Sequence, residues 1–211
     1  MVTKIILARH GETEWNLAEI FRGRIDVELN ETGLKQAELL GEYLSHTEIE
    51  AVYSSPLKRA LRTAQAIAKY RRLDVQTSPG LIDLNLGDWQ GLSRDVVAVK
   101  FKEVYDLWMS RPEKVTIPGG ESLADVRQRA TAFVDEVIAR HRGTVVLASH
   151  RVVCKVLTCA LLGLDNSHFW NIEQSNCGTT TFLYENGQFI LTEHNNTSYL
   201  KPLQKKPLGD F

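Results

Sequence analysis

The sequence lacks the features that would place it in a membrane, a secretory pathway or a nucleic-acid complex. No apolar run approaches the roughly 18 residues that a membrane-spanning helix needs. The apolar run IILA behind the N-terminal lysine is too short for a signal-peptide core. Because 25 Lys and Arg balance 26 Asp and Glu, no broad basic field exists for nucleic acid or an acidic membrane surface. We therefore expect neither partner, and a small-molecule ligand instead.

Cysteine is scarce, and repeats, low-complexity tracts and long linkers are missing. The odd number of cysteines (Cys154, Cys159 and Cys177) does not suit a disulfide framework, and the first two lie in an apolar stretch typical of a packed helix. We therefore predict a reduced, cytoplasmic setting. The 211 residues suit one domain, which we place at 1–200. The tail 201–211 contains two prolines and is expected to be loosely held.

Strand-like and helix-like segments alternate along the chain. Predicted strands cover 4–8, 49–55 and 143–150, and predicted helices cover 29–44, 56–70, 93–110 and 119–141. The segment 179–194 predicts two strands joined by an Asn-Gly turn. This order is typical of an α/β three-layer sandwich, with a mainly parallel central sheet, helices on both faces and a late antiparallel hairpin.

Two helices carry recognisable start signals. Asn30 or Thr32 can cap the helix of 29–44, and Ser122 and Asp125 have the spacing of a capping box at the start of 119–141. The predicted apolar stripe of the first helix consists of Leu34, Ala37, Leu40 and Leu44.

Polar residues follow three of the predicted strands. These are Arg9 and His10, Ser54 and Ser55, and Ser149 and His150, and Arg59 lies in the first turn of the helix after YSSP. Ligands of open α/β sheets bind at the carboxyl ends of the strands, so these residues are expected to form one rim. Arginine forks match phosphate geometry, and a histidine nitrogen can accept a phosphoryl group covalently. The rim therefore favours phosphoryl chemistry.

Five blocks, in this order and spacing, resemble the histidine phosphatase superfamily, in the branch of cofactor-dependent phosphoglycerate mutases and related phosphatases. The blocks are ARHGETEWN (8–16), YSSPLKRALRTA (53–64), GLIDLNLGDWQG (80–91), GGESLADVRQR (119–129) and VVLASH (145–150). The resemblance covers roughly 3–185 and includes metal-independent phosphoserine phosphatases and α-ribazole phosphatases.

The resemblance implies a role for each matching residue. His10 is the nucleophile that becomes phosphohistidine, and Arg9, Arg59 and His150 form the phosphate pocket. Asn16 also holds the phosphoryl oxygens, and Asp83 is the general acid to the leaving oxygen and then the base to water. Arg22 and Gly23, in FRGRID, are further candidates for phosphate or substrate binding.

Two positions depart from the family pattern. Asp83 stands where glutamate is usual, so its shorter side chain leaves open a structural role, with Asp88 or Glu12 as the acid. In another branch an aspartate acid directly follows the second histidine, but that position here is Arg151. Arg151 replaces a small residue at the pocket edge, where it either narrows the site or contacts the substrate.

Three functions remain open. We predict a phosphomonoesterase, without metal or other cofactor, acting on a small phosphorylated metabolite. Phosphoglycerate mutase chemistry is the first alternative, although only 27 residues separate Gly91 from Gly119 and the mutase signatures are missing there. The second alternative is an inactive relative that binds a phosphorylated ligand. A homodimer is possible.

Other polar and aromatic residues are given ordinary interpretations. His46, His141, His168 and His194 are expected to be structural or surface histidines, and Arg62 a surface charge. Within 93–118 the candidates for lining the substrate site are Phe101, Tyr105, Trp108 and Arg111, although Tyr105 and Trp108 also have the helical spacing of core residues.

Overall fold

A six-stranded mixed sheet forms the centre of the protein, whose computed structural model describes residues 2–203. Its strands are β1 (Thr3–Arg9), β2 (Ile49–Ser54), β3 (Val75–Thr77), β4 (Thr144–Ser149), β5 (Thr179–Glu185) and β6 (Gln188–Asn196). In the order β3-β2-β4-β1-β5-β6, the first four are parallel to one another, and β5 runs antiparallel to both β1 and β6. The predicted mainly parallel sheet is confirmed.

The late hairpin is also confirmed. Strands β5 and β6 are joined by Asn186 and Gly187, whose φ angles are 52° and 80°. Two successive positive φ angles match the right-handed twist of the flanking strands, which is why Asn-Gly is favoured there.

Helices cover both faces of the sheet, as the three-layer prediction requires. They are α1 (Glu14–Leu17), α2 (Glu31–Leu44), α3 (Lys58–Ala68), α4 (Arg94–Lys100), α5 (Lys102–Ser110), α6 (Leu123–Arg140) and α7 (Arg151–Leu161). Alternate residues of β1 point to opposite sides: Ile5 and Leu7 join a core with α6 and α7, whereas Ile6 and Ala8 join one with α2 and α3.

The helix starts follow the sequence signals, but two details of the helices do not. Asn30 caps α2 and Ser122 forms the capping box with Asp125 on α6. The prediction that Leu34 belongs to the buried stripe is wrong, because its side chain is exposed. The packed face of α2 includes Gly33 and Gly41 instead, and glycine gives no hydrophobic signal in the sequence. The predicted single helix 93–110 is wrong, since it breaks at Phe101 (φ −121°, ψ 37°) into α4 and α5.

The C-terminal part of the described chain packs against the domain. Ser198–Leu203 forms a 3-10 helix, and Leu200 is buried in the core beneath α2 and α3. The rest of the predicted tail, 204–211, lies outside the described residues. Of the helices in residues 2–203, none combines the length and apolarity that crossing a bilayer requires.

Two glycines set the position of the loop that leaves β1. Gly11 lies against the backbone of Gly33 at the start of α2, and Gly33 lies against Glu12. A Cβ on Gly33 would overlap the carbonyl oxygen of Glu12, and one on Gly11 would overlap that of Gly33. The chain after β1 can therefore approach α2 only because both residues lack a side chain.

We predict that Gly33→Ala destabilises the fold, because a backbone oxygen cannot move as a flexible side chain can. Overpacking of this kind costs about 1–3 kcal/mol of the free energy of unfolding. Chemical denaturation measures the change, with Thr32→Ala, at the exposed neighbouring position of the same helix, as the control. Equal stability of the two variants would contradict the close approach.

Candidate active site

Three strand ends adjoin at one edge of the sheet, since β4 lies between β1 and β2. Arg9 pairs in register with Ser149, and the backbone N–H of His10 donates to the carbonyl of Ser149 at 2.9 Å. The rings of His10 and His150 consequently lie 5.3 Å apart between their centroids. The structure thus brings together the two histidines that the sequence separates by most of the chain.

His10 has a defined tautomer. Its Nδ1 lies 2.6 Å from the carbonyl oxygen of Gly11, and because a carbonyl can only accept, Nδ1 carries the hydrogen. In the neutral ring the other nitrogen, Nε2, then keeps its lone pair. The side chain is buried, at 1% exposure, so this orientation is fixed by packing as well as by the hydrogen bond.

The environment of His10 opposes protonation. Burial lowers the pKa of the imidazole well below its usual value, and the charges of Arg59 and Arg9 lower it further. Arg22 acts in the same direction. The ring is therefore neutral around neutral pH, and Nε2 is available as a nucleophile.

His150 is oriented by Ser55. The Ser55 hydroxyl accepts from the backbone N–H of Leu57 at 3.3 Å, so its own hydrogen can be donated to His150 Nε2, which lies 2.7 Å away. Nδ1 then carries the hydrogen of the neutral ring, 3.6 Å from Asp83 Oδ2. Burial, followed by the charge of Arg59, also holds the pKa of His150 well below its usual value.

Arg59 is wholly buried and anchored by three acceptors. Nη2 donates to the carbonyl of Gly23 at 2.7 Å and to Asp83 Oδ2 at 3.1 Å, and Nη1 donates to the carbonyl of Ile25 at 3.0 Å. The FRGRID segment therefore meets the first turn of α3, and Asp83 joins the group through an ion pair.

The loop that carries Asp83 is held from α6. Arg129 donates to the carbonyl of Gly80 at 3.0 Å and to that of Asp83 at 3.2 Å, and it pairs with Glu121 at 3.2 Å. Asp83 Oδ1 accepts from the backbone N–H of Leu84 at 3.0 Å, which leaves Oδ2 toward Arg59 and His150. Although its side chain is shorter than that of glutamate, Asp83 thus still reaches His150.

The other two carboxylates considered as the acid have different surroundings. Asp88 is exposed beside Gly119. Glu12 Oε1 accepts from Asn30 Nδ2 at 2.9 Å, at the start of α2. Of the three carboxylates, Asp83 is the one that forms an ion pair with Arg59.

Four donors of the site are buried without an acceptor in residues 2–203. They are the Nε atoms of Arg9, Arg22 and Arg59, together with His150 Nδ1. Leaving a buried donor unpaired costs about 1–3 kcal/mol, so proteins rarely concentrate such groups in one place. The same atoms would be satisfied by the oxygens of a bound anion.

The remaining predicted phosphate-binding residues lie at the mouth of the site. Asn16 Oδ1 accepts from the backbone N–H of Thr13 at 3.0 Å and from its hydroxyl at 2.9 Å, so the amide NH₂ is the group left for a ligand. Gly23 has a φ of 53°, and a Cβ there would overlap the Gln90 side chain. Asn16, Arg22 and Gly23 all line the cavity.

A cavity of about 390 Å³ opens beside Arg9 and Asp83. The cavity lining does not include His10, His150 or Arg59. Arg9 directly precedes His10 in the chain, and Asp83 lies 3.1 Å from Arg59 and 3.6 Å from His150. The cavity is also lined by six aromatic residues: Trp15, Phe21, Tyr105, Trp108, Phe169 and Trp170. Of the candidates in 93–118, Tyr105 and Trp108 line the cavity while packing in the core, and Phe101 and Arg111 do not line it.

Arg151 lies at the edge of the cavity, with its guanidinium carbon 5.5 Å from the centroid of the Trp170 ring. It is exposed and pairs with no carboxylate among residues 2–203. Arg94, which also lines the cavity, is paired with Glu19 at 2.9 Å.

The residues given ordinary interpretations have structural or surface positions. His141 bridges Glu50 (2.6 Å) and the Tyr53 hydroxyl (3.0 Å), and His46 and Arg62 are exposed. Within the described part of the chain, no three histidine, cysteine or carboxylate side chains cluster as a metal site would require.

Sequence reasoning missed several parts of the site. The sequence predicts Ser55 at the rim but not its contact with His150. The carbonyl of Gln174, which accepts from Arg9 Nη1 at 2.7 Å, has no sequence signal. Arg129 lies in the GGESLADVRQR block, so its presence in that block was the available signal. Trp170 was not predicted at all.

Comparison with known proteins shows the family of the chain. Residues 5–197 match the model of the histidine phosphatase superfamily (branch 1). The chain is 39% identical over 200 residues to phosphoserine phosphatase 1 of Hydrogenobacter thermophilus, covering 94% of this chain and 95% of that protein. It is also 39% identical over 160 residues to the metal-independent phosphoserine phosphatase of Arabidopsis thaliana, covering 74% and 67% of the two chains.

A solved structure is similar throughout. Bacillus stearothermophilus YhfR superposes with a TM-score of 0.91 at 31% sequence identity, covering 94% of this chain and all of that one (100%). The chain therefore belongs to the histidine phosphatase superfamily, in its branch 1.

Proposed function

We propose that this protein is a metal-independent phosphomonoesterase that hydrolyses a small phosphorylated metabolite through a phosphohistidine on His10. The observation that carries the proposal is the set of buried, unpaired donors on Arg9, Arg22, Arg59 and His150 around a neutral histidine. Three guanidiniums and an imidazole N–H suit the oxygens of a phosphate, and they supply the positive charge that a metal provides elsewhere.

In the first step, the His10 Nε2 lone pair attacks phosphorus and the bond from phosphorus to the ester oxygen breaks. Asp83 gives a proton to that departing oxygen. The guanidiniums and His150 stabilise the charge on the three equatorial oxygens.

In the second step, the Asp83 carboxylate removes a proton from a water molecule. The resulting oxygen attacks phosphorus, the bond to Nε2 breaks, and inorganic phosphate leaves with His10 neutral again. One carboxyl group therefore serves as the acid in the first step and as the base in the second.

The cavity favours a small substrate, and we propose phosphoserine as the first to test. Two relatives bear the name phosphoserine phosphatase, and a volume of about 390 Å³ suits a metabolite of that size. Arg151, unpaired among residues 2–203, offers a contact for a carboxylate on the leaving group. A 3-phosphoglycerate isomerisation assay tests the mutase alternative.

The cellular location and the oligomeric state are part of the same proposal. The three cysteines are free and buried, which suits the reducing conditions of the cytoplasm. A single domain over 1–200 and a homodimer stay predictions, and light scattering of the purified chain measures the number of copies.

The covalent step predicts that His10→Ala loses activity on the order of 10⁴-fold or more, because no other nucleophile replaces Nε2. Hydrolysis of p-nitrophenyl phosphate measures the loss, and His46→Ala, at an exposed histidine, is the matched control. A labelled substrate quenched in alkali should leave acid-labile phosphate on the wild type alone.

Label on serine, or a His10→Ala enzyme of nearly normal rate, would refute the covalent step. The assays are run in excess EDTA as well. Wild-type activity that disappears there and returns with a divalent ion would refute the metal-independent part alone.

The acid role of Asp83 predicts that Asp83→Asn is selective between leaving groups. An alkyl phosphate needs a proton on the departing oxygen, so its kcat/KM should fall about 10²–10⁴-fold, whereas p-nitrophenolate leaves without one. The lost Arg59 ion pair affects both esters alike and cancels in the ratio. Asp88→Asn is the matched control, and equal losses on the two esters would leave Asp83 a structural role.

A further inference from the structure

A second, open cleft of about 500 Å³ adjoins the substrate cavity at Arg9 and Arg151, which line both. Besides these two arginines, Lys155, Gln174, Ser175 and Asn176 line it. The cleft shares Arg9, Arg151 and Trp170 with the cavity, so a ligand there would contact the same arginine that faces the reaction site.

Lys155 is a buried cation in this cleft. It lies one helical turn after Arg151 on α7, and the residue is only 2% exposed. Its ammonium lies 4.4 Å from the centroid of Phe169 and 4.5 Å from that of Trp170. It has no hydrogen bond or ion pair with residues 2–203, and Glu173, which also lines the cleft, forms none with it.

Positive charges outweigh the negative charge of Glu173 in their effect on Lys155. Burial, followed by the charge of Arg151, lowers the pKa of Lys155 to about 7, and Arg9 acts in the same direction. Keeping a buried ammonium charged costs free energy unless an anion lies beside it. The two aromatic faces attract a cation but supply no negative charge.

The cleft also offers a neutral donor. Ser175 Oγ accepts from Asn195 Nδ2 at 3.2 Å, which leaves the hydroxyl hydrogen free to donate. The ammonium of Lys155, the guanidinium of Arg151 and this hydroxyl together match a compact oxyanion, which accepts hydrogen bonds and carries charge.

We propose that this cleft is a second anion-binding site, in which Lys155 and Arg151 bind a compact oxyanion such as inorganic phosphate or a carboxylate. The site goes beyond the hydrolase activity and does not depend on it. Because Arg9 lines both clefts, a bound anion would also weaken the hold of Arg9 on the phosphoryl group, and the site would make turnover sensitive to free anions.

The test counts phosphate sites by equilibrium dialysis of labelled inorganic phosphate at constant ionic strength. We expect two phosphates per wild-type chain and one per chain of Lys155→Met, which keeps the volume of the buried side chain but removes its charge. Lys35→Met, at an exposed lysine, controls for net charge and should bind two. These counts need no turnover, so they stand even if the enzyme proves inactive.

A second arm separates a free anion from an anionic group of the substrate itself. In this arm, wild type and Lys155→Met bind equal numbers of phosphates. The anion then comes from the substrate if kcat/KM for O-phosphoserine falls about tenfold in the variant while kcat/KM for p-nitrophenyl phosphate is unchanged. No change in either measurement overturns the proposal. If Lys155→Met fails to fold, a wild-type crystal soaked in phosphate decides, since phosphate density must contact Lys155 Nζ.

Discussion

The mutual repulsion of buried arginines around His10 is the constraint on which the site depends. Arg9, Arg22 and Arg59 lie close enough to one another and to His10 to lower the pKa of the imidazole, and the ion pair with Asp83 offsets part of that charge. Such a group is unfavourable in the free protein and favourable once an anion is bound. Burial is the larger cause of the lowered pKa of His10, and the arginine charges that lower it further also attract the phosphate that Nε2 attacks.

The fold holds this field in place through its backbone. Strand β4 lies between β1 and β2, so three strand ends adjoin, and the loop after β1 reaches α2 because Gly11 and Gly33 have no side chains. Few of the contacts that fix the arginines are with carboxylates. Arg9 is held by the carbonyl of Gln174, and Arg59 by those of Gly23 and Ile25 together with its ion pair to Asp83. Because carbonyls do not neutralise a guanidinium, positive charge remains available to a ligand.

Much of the fold could be predicted because its signals are local: apolar strands, capping residues and the Asn-Gly turn each fix a short segment. The rim followed from a general rule about strand ends. The buried face of α2 could not be predicted at Leu34, because glycine packing carries no hydrophobic pattern, and Phe101 breaks a helix that its composition favours. Two contacts could not be predicted either: that of Ser55 with His150, and that of the Gln174 carbonyl with Arg9. Each joins chain segments that are far apart in the sequence and meet only in the folded protein.

The most direct test of the account is the protonation state of His10 in the free enzyme. Nitrogen-detected NMR of the labelled imidazole, compared with His10→Ala for assignment, reports which ring nitrogen carries hydrogen as the pH falls. The account predicts a neutral ring with hydrogen on Nδ1 at pH 6.5, where a histidine of ordinary pKa is half protonated. A ring that titrates near pH 6.5, or a neutral ring with hydrogen on Nε2, would contradict it.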